Sequence, residues 1–139
     1  MTMTLLLALA FQASLDREYR ENNCADPQNQ AEMNICAGIS FRRADNDLNA
    51  AYRVAIAAAQ ASDRERGAIE RTSDTRPGYE AVLRAAQRAW VTYREQHCTW
   101  QGYNEARGGS MESMVYGGCM AAVTRARIEE LRGAQQEEH

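Results

Sequence analysis

The sequence predicts an all-α protein, a small antiparallel bundle of about three main helices stapled by two disulfides. Three observations predict this fold. Apolar residues recur every three or four positions in three separate segments, no segment shows a strand-like alternation of convincing length, and the chain contains four cysteines. The length of 139 residues corresponds to one domain.

The first thirteen residues have the features of a secretory signal peptide. They contain an unbroken apolar run over residues 5–11, followed by small residues, and they carry no charged side chain. The best cleavage match is Ala8-Leu9-Ala10, so we expect the mature protein to begin near Phe11 or Ser14 and to comprise residues 14–139. The alternative is an apolar first helix that stays on the domain. The run is too short to span a bilayer, and we expect no membrane span in the mature chain.

The first main helix is predicted from near Pro27 to near Ala61. Its periodic face is formed by small and apolar residues that include Met33, Ala37, Phe41, Ala44, Leu48, Tyr52, Ala55 and Ala59. Asp26 is a suitable N-cap, with Pro27 at the first helical position. The polar segment 62–72 continues this helix by a weaker turn or two, and residues 73–78 break it.

Two further helices follow the break. The second is expected from Pro77 or Gly78 to about Cys98, and its face includes Tyr79, Leu83, Ala86, Trp90, Tyr93 and His97. Gly102, Gly108 and Gly109 then predict a loop. The last helix ends near Arg132. Because Gly117 and Gly118 would weaken its first turns, we expect it to start as late as Cys119.

The four cysteines predict two disulfides. An even number of cysteines behind a signal peptide is typical of an exported, oxidised protein, whether periplasmic or secreted. The gaps of 12, 62 and 21 residues do not match zinc sites, and we expect no metal. The layout of the helices favours the pairs Cys24–Cys36 and Cys98–Cys119 over a link from Cys24 to Cys119. The disulfides are expected to stabilise the domain, because only fifteen residues from 14 onward are Ile, Val, Leu or Phe and the hydrophobic core is therefore small.

Charge and motifs exclude several function classes. The chain has sixteen basic residues, all of them Arg, and nineteen acidic ones. The resulting net charge of -3 argues against a nucleic-acid partner. The sequence has no phosphate-binding loop, no G-x-S-x-G and no H-E-x-x-H motif. We therefore expect neither catalysis nor a cofactor.

Polar residues beside the core positions have two interpretations. Asp45 and Asn49 share a helix face and could bind a ligand, but a bridge from Asp45 to Arg94 or Arg127 is favoured. Trp90 and Tyr93 are expected in the core. Thr124 is expected to bond back to a carbonyl of its own helix.

The order of these residues resembles that of a known family, the LprI-type lysozyme-inhibitor domain of secreted bacterial proteins. The resemblance runs from Cys24 to about Leu131. The positions that carry it are Cys24, Gln30 to Ala37, Ala44, Asp45, Leu48, Asn49, Tyr52, Gln87, Trp90, Tyr93, Arg94, Cys98, Gly108, Gly109, Cys119, Thr124, Arg127 and Leu131. The resemblance implies an exported helical domain and a lysozyme or another cell-wall hydrolase as the partner.

The expected contact surface is the segment 102–118. It is rich in glycine, is tethered by the predicted Cys98–Cys119 bridge, and carries aromatic, Met and Arg side chains of the kind that anchor interfaces. The residues expected to bind the partner are Arg107, Gly108, Gly109, Ser110 and Tyr116. The alternatives are an ordinary solvated connection at this segment, and a structural or stress-related envelope domain without lysozyme binding.

Overall fold

The protein folds as four α-helices in the computed structural model, which describes residues 2–69 and 74–136. The helices are α1 (Met3–Glu21), α2 (Gln30–Ile69), α3 (Tyr79–Ala106) and α4 (Glu112–Gln136). The described ranges contain no strand, and none of their helices is long and apolar enough to cross a membrane. Residues 70–73 and 137–139, which include the start of the predicted break and the end of the predicted domain, lie outside the described residues, as does residue 1.

The all-α prediction is confirmed, but the structure has one more helix than the three predicted. The additional helix, α1, is continuous from the apolar run into the polar residues that follow it. Its large apolar side chains up to Phe11 are exposed, whereas Leu15 is fully buried. Arg42 and Arg43 of α2 pair with Glu18 and Asp16 and hold the second half of α1 in place.

The start of α2 differs from the prediction. The helix begins at Gln30, because Asn29 rather than Asp26 caps it. The Asn29 carboxamide accepts a hydrogen bond from the Glu32 N–H at 2.9 Å, and the Glu32 carboxylate accepts one from the Gln28 N–H at 2.7 Å. This is a variant of the capping box, in which the side chain of the N-cap residue binds the backbone of Glu32, and the Glu32 side chain binds the backbone of Gln28, the residue before the cap. At its other end α2 continues past Ala61 to Ile69, as the weaker extension predicted.

The start of α3 is fixed by a side chain from α2. The carboxylate of Asp63 accepts hydrogen bonds from the backbone N–H groups of Tyr79 and Glu80, at 2.7 and 3.1 Å. These are two of the donors that a helix start leaves without partners. A Cβ atom on Gly78 would lie 2.6 Å from Asp63 Oδ1, so a side chain at this position would force the Asp63 carboxylate to shift.

The predicted end of α3 and the predicted start of α4 are wrong. Gly102, which indicated a loop, and Gly117, which was expected to weaken the first turns of the last helix, both lie inside helices. Gly102 is buried in α3, where a Cβ atom would lie 3.7 Å from Glu112 and 3.8 Å from Tyr116. Gly117 is buried in α4, where a Cβ atom would lie 3.0 Å from the carbonyl carbon of Ala37. At Gly117 the missing side chain permits close packing of α4 on α2, whereas a Cβ atom on Gly102 would make only ordinary contacts with α4. At both positions packing against a neighbouring helix outweighs the low helix propensity of glycine.

The core is small and built largely from alanine and a few aliphatic residues. One cluster joins α2 to α4 through Leu48, Ala51, Ala55, Ile128 and Leu131, with Leu83 and Trp90 packed against it. The other cluster contains the Cys98–Cys119 bridge and Met120, covered by Phe41, Tyr116 and Val123. The Cys98–Cys119 disulfide is therefore part of the hydrophobic core and does not lie at the surface.

Candidate partner-binding site

Both predicted disulfides are present with the predicted pairing. Cys24 and Cys36 have their Cα atoms 5.4 Å apart, and Cys98 and Cys119 have theirs 5.5 Å apart. All four cysteines are thus used, and none is free to bind zinc or to act as a nucleophile. The second bridge joins α3 to α4 close to the turn between them.

That turn is a short and ordered loop of residues 107–111. The Gly109 N–H donates to the Ala106 carbonyl at 2.8 Å, and the Gly108 N–H donates to the Glu112 carboxylate at 2.7 Å. Gly108 has φ +74°, a backbone conformation that favours glycine. Hydrogen bonds to the end of α3 and to the start of α4 therefore fix the loop conformation in the free protein.

The start of α2 supports the same loop. The Asn34 carboxamide donates to the Ser110 carbonyl at 2.9 Å, and the Gln30 carboxamide contacts the Met114 sulfur at 3.7 Å. The Cys24–Cys36 bridge lies in the same part of α2. We call residues 24–36 and 99–118 the loop end of the bundle.

The predicted site residues divide into two groups. Arg107, Gly108, Gly109 and Ser110 are exposed in the loop, as predicted. Tyr116 is not in the loop: it lies in α4, half-buried against the disulfide cluster. It does line an open groove of about 560 Å³ together with Gly108, Gly109 and other residues of α3 and α4. Of the predicted loop 102–118, only residues 107–111 lie between the helices in the structure, and a groove lies beside them.

Asp45 and Arg94 form the predicted bridge between helices. Arg94 Nη1 donates to Asp45 Oδ1 at 2.8 Å and to Thr124 Oγ1 at 3.0 Å. The guanidinium lies against the rings of Phe41 and Trp90 and is almost fully buried. Thr124 thus accepts a bond from α3, a contact that was not predicted.

Arg127 has other partners, Gln87 and Glu130. Its Nε donates to the Gln87 side chain at 3.1 Å, which ties α4 to α3. The bridge to Asp45 is therefore made by Arg94 rather than by Arg127.

Tyr93 was predicted in the core, and this prediction is wrong. Its side chain is 56% exposed, because the neighbouring Arg94 is the residue that faces the core. Tyr93 stacks on His97 with ring centres 5.2 Å apart, and His97 meets Trp100 at 5.8 Å. Sequence reasoning missed Trp100, which is 61% exposed. The signal that could have found it is its position two helical turns after Tyr93, on the same face.

Tyr103 continues this exposed aromatic series toward the loop. The guanidinium carbon of Arg107 lies 4.7 Å from the centre of the Tyr103 ring. We call Tyr93, His97, Trp100 and Tyr103 the aromatic row. It is joined to the loop through Arg107.

The loop end carries the negative charge of the protein. It contains four acidic residues, Asp26, Glu32, Glu105 and Glu112, and one basic residue, Arg107. The excess of three negative charges equals the formal net charge of -3 for the whole chain. The rest of the chain is balanced, so the field of the protein favours a basic partner at this end.

Carboxyl groups with shifted pKa values lie in structural pairs outside the loop end. Hydrogen bonds from Arg76 lower the pKa of Asp74 to about 2. The hydrogen bonds from Arg84 and Gln60 lower the pKa of Glu80, and the bond from Arg42 lowers that of Glu18. In the described part of the chain we find no group of three or more His, Cys, Asp or Glu residues that could hold a metal ion.

Comparisons with known proteins agree with the resemblance noted in the sequence. The family described as lysozyme inhibitor LprI matches residues 19–131. An uncharacterized protein of Rhizobium meliloti (strain 1021) is 42% identical over 128 residues, which cover 92% of this chain and 89% of that protein. No solved structure matches. The family and the two disulfides indicate a protein that works outside the cytoplasm. The chain belongs to the lysozyme inhibitor LprI family.

Proposed function

We propose that this protein is an exported, non-catalytic inhibitor that binds a cell-wall hydrolase of the lysozyme type. The observation that carries the proposal is the acidic loop end, with its loop ordered by three helices and a buried disulfide. The family description supplies the class of target. The proposed contact residues are those predicted from the sequence, Arg107, Gly108, Gly109, Ser110 and Tyr116.

The loop is already ordered in the free protein, which favours tight binding. Its backbone is already fixed by Ala106, Glu112 and Asn34, so little conformational entropy is lost when a partner is bound. Gly108 and Gly109 present backbone without side chains and permit close approach.

Arg107 is the only basic side chain of the loop end. Lysozymes cleave glycans with a pair of carboxyl groups, and a guanidinium can bind a carboxylate through two parallel hydrogen bonds. We propose that Arg107 enters the cleft and pairs with these carboxyl groups. The surrounding carboxylates of this protein then face the basic surface that lysozymes often carry, and this attraction raises the rate of association at low salt.

Export to the periplasm or the medium, with removal of residues 1–13, is part of the same proposal. The exposure of the apolar side chains from Met3 to Phe11 supports it, because the bundle does not use them as core. N-terminal sequencing of the exported protein should find Phe11 or Ser14 first. An intact Met1 on the exported protein would contradict removal.

Titration of the oxidised protein against several lysozymes tests the proposal, with the turbidity of a cell-wall suspension as the readout. We expect inhibition at micromolar concentration or below at low salt. Arg107→Ala should weaken inhibition at least tenfold, as for an interface hot spot. Arg125→Ala is the matched control, because Arg125 is an exposed arginine of α4 that forms a surface pair with Asp47 at 3.6 Å.

The titration also separates the two candidate functions. If the unsubstituted protein neither binds nor inhibits any lysozyme at low salt, the inhibitor proposal fails and the structural envelope domain replaces it. Equal inhibition by Arg107→Ala and the unsubstituted protein would remove Arg107 from the contact surface.

A further inference from the structure

We infer that the aromatic row of α3 is the principal anchoring surface for the hydrolase, and that the loop alone is not the binding site. This inference rests on the proposed function and extends it to residues that lie up to fourteen positions before the loop. It names Tyr93, His97, Trp100 and Tyr103. Tyr103 lies within the predicted contact segment 102–118, and the other three were not assigned to the partner from the sequence.

Three side chains of the aromatic row are exposed to solvent. Tyr93, Trp100 and Tyr103 are 56%, 61% and 48% exposed, although the protein has few large apolar residues with which to build its core. A chain that needs apolar side chains inside leaves three of its largest ones in contact with water. Trp and Tyr are among the residue types that contribute most to binding energy when a partner covers them.

Side chains of the aromatic row are held in place by contacts with their neighbours. The rings of Tyr93, His97 and Trp100 contact one another in series, at 5.2 and 5.8 Å, and Arg107 lies over the ring of Tyr103. These contacts restrict the side-chain rotamers in the free protein. A surface that is ordered in advance loses less entropy on binding than one made of independent side chains.

The charges around the aromatic row indicate what kind of partner binds there, a basic cell-wall hydrolase. The row itself contains no acidic or arginine side chain, whereas the acidic Glu112 lines the same groove as Tyr103. An apolar centre with an acidic edge complements a partner that combines an apolar or sugar-binding cleft with a basic rim. Tyr103 follows Trp100 by three residues in α3 and contacts Arg107, so the row extends to the loop and one partner can cover both.

The experiment compares two substitutions in the row with a matched control on the same helix. Trp100→Ala and Tyr93→Ala remove exposed rings and should leave the helical circular dichroism and the unfolding midpoint unchanged. Tyr79→Ala is the control, because Tyr79 is a tyrosine of α3 with 47% exposure at the opposite end of the helix. The readout is the inhibition constant against a lysozyme that the unsubstituted protein inhibits, together with the mass in solution from light scattering.

We expect Trp100→Ala to raise the inhibition constant at least tenfold and Tyr93→Ala to raise it several-fold, with Tyr79→Ala within twofold of the unsubstituted protein. Unchanged inhibition by both row variants overturns the inference and leaves the loop proposal standing. Loss of a dimer on Trp100→Ala, with inhibition unchanged, also overturns it and assigns the row to a second copy of this chain. Absence of inhibition by the unsubstituted protein is the separate failure of the proposed function, and the inference falls with it.

Discussion

Arg94 of α3 donates a hydrogen bond to Asp45 of α2 at 2.8 Å from a guanidinium whose side chain is only 7% exposed, while the Asp45 side chain is 38% exposed. The pair is therefore asymmetric, since the cation is buried and the carboxylate reaches solvent. Without Asp45 the buried charge keeps only the hydroxyl of Thr124 as a hydrogen-bond partner of Nη1. Arg94 Nε has no partner in the described part of the chain.

Asp45→Ala should destabilise the protein by about 2 kcal/mol, because it leaves a buried arginine without its counter-charge. The matched control is Asp47→Ala, which removes an exposed pair with Arg125 and should cost about 0.5 kcal/mol or less. Urea unfolding followed by circular dichroism measures both. Equal midpoints for the two variants would show that the buried pair contributes no more than a surface pair.

Gly117 and Gly118 are adjacent in α4 and should respond to alanine in opposite ways. Gly117→Ala places a Cβ atom 3.0 Å from the Ala37 carbonyl carbon and should cost about 1–3 kcal/mol through forced separation of α2 and α4. A Cβ atom on Gly118 meets no atom within 4 Å, and Gly118→Ala should stabilise the protein by about 0.5–1 kcal/mol through helix propensity. Thermal unfolding of the two variants checks the sign of each effect, and the same sign in both would refute the close packing at Gly117.

The two disulfides should differ in accessibility and in their effect on stability. Cys98 is fully buried, whereas Cys24 and Cys36 are half-buried beside a turn. We expect a mild reductant to open Cys24–Cys36 first, as seen by mass spectrometry after alkylation. Replacing Cys98 and Cys119 by Ala should cost about 3 kcal/mol or more. Reduction of Cys98–Cys119 ahead of Cys24–Cys36 in the folded protein would contradict the burial of the second bridge.

Acid should loosen α1 before it unfolds the bundle. The hydrogen bond from Arg42 lowers the pKa of Glu18 below its ordinary 4.5, so this pair stabilises the folded state above pH 4.5 and loses its contribution as the pH falls through the lowered value. Amide hydrogen exchange in residues 14–21 should therefore accelerate relative to α4 between pH 5 and pH 3, after correction for intrinsic rates. In Glu18→Gln this pH dependence should be reduced. An unchanged dependence would exclude Glu18 as its source.

The sequence predicts the parts of this fold that depend on periodicity and on covalent geometry. The three main helices are confirmed, because they follow from the spacing of apolar residues on one helix face. Both disulfide pairs and the bridge from Asp45 to Arg94 are also confirmed, because they follow from the order of those helices and the residues they bring together. Helix ends are less predictable. Gly102 indicated a loop and Gly117 a weakened helix start, but both pack against a neighbouring helix and are helical.

The candidate site is predicted less completely than the fold. The loop glycines and Arg107 follow from local composition, but the exposure of Tyr93 does not. Tyr93 and Arg94 are adjacent, and the ordinary preference of an aromatic residue for the interior assigns the wrong one to the core. The sequence predicts the bridge from Arg94 to Asp45, but the burial of Arg94 of α3 between Asp45 of α2 and Thr124 of α4 is evident only in the folded protein.

The most direct test of the account is to map the binding of a lysozyme onto the isotopically labelled, oxidised protein by amide chemical shifts at low salt. We predict that the largest changes lie in residues 93–113 and at the start of α2 near Asn34, and that they weaken as the salt concentration rises. Changes centred on the turn between α2 and α3, near Asp74 and Arg76, or no change at all with the lysozymes tested, would contradict the claim that the loop end binds a cell-wall hydrolase.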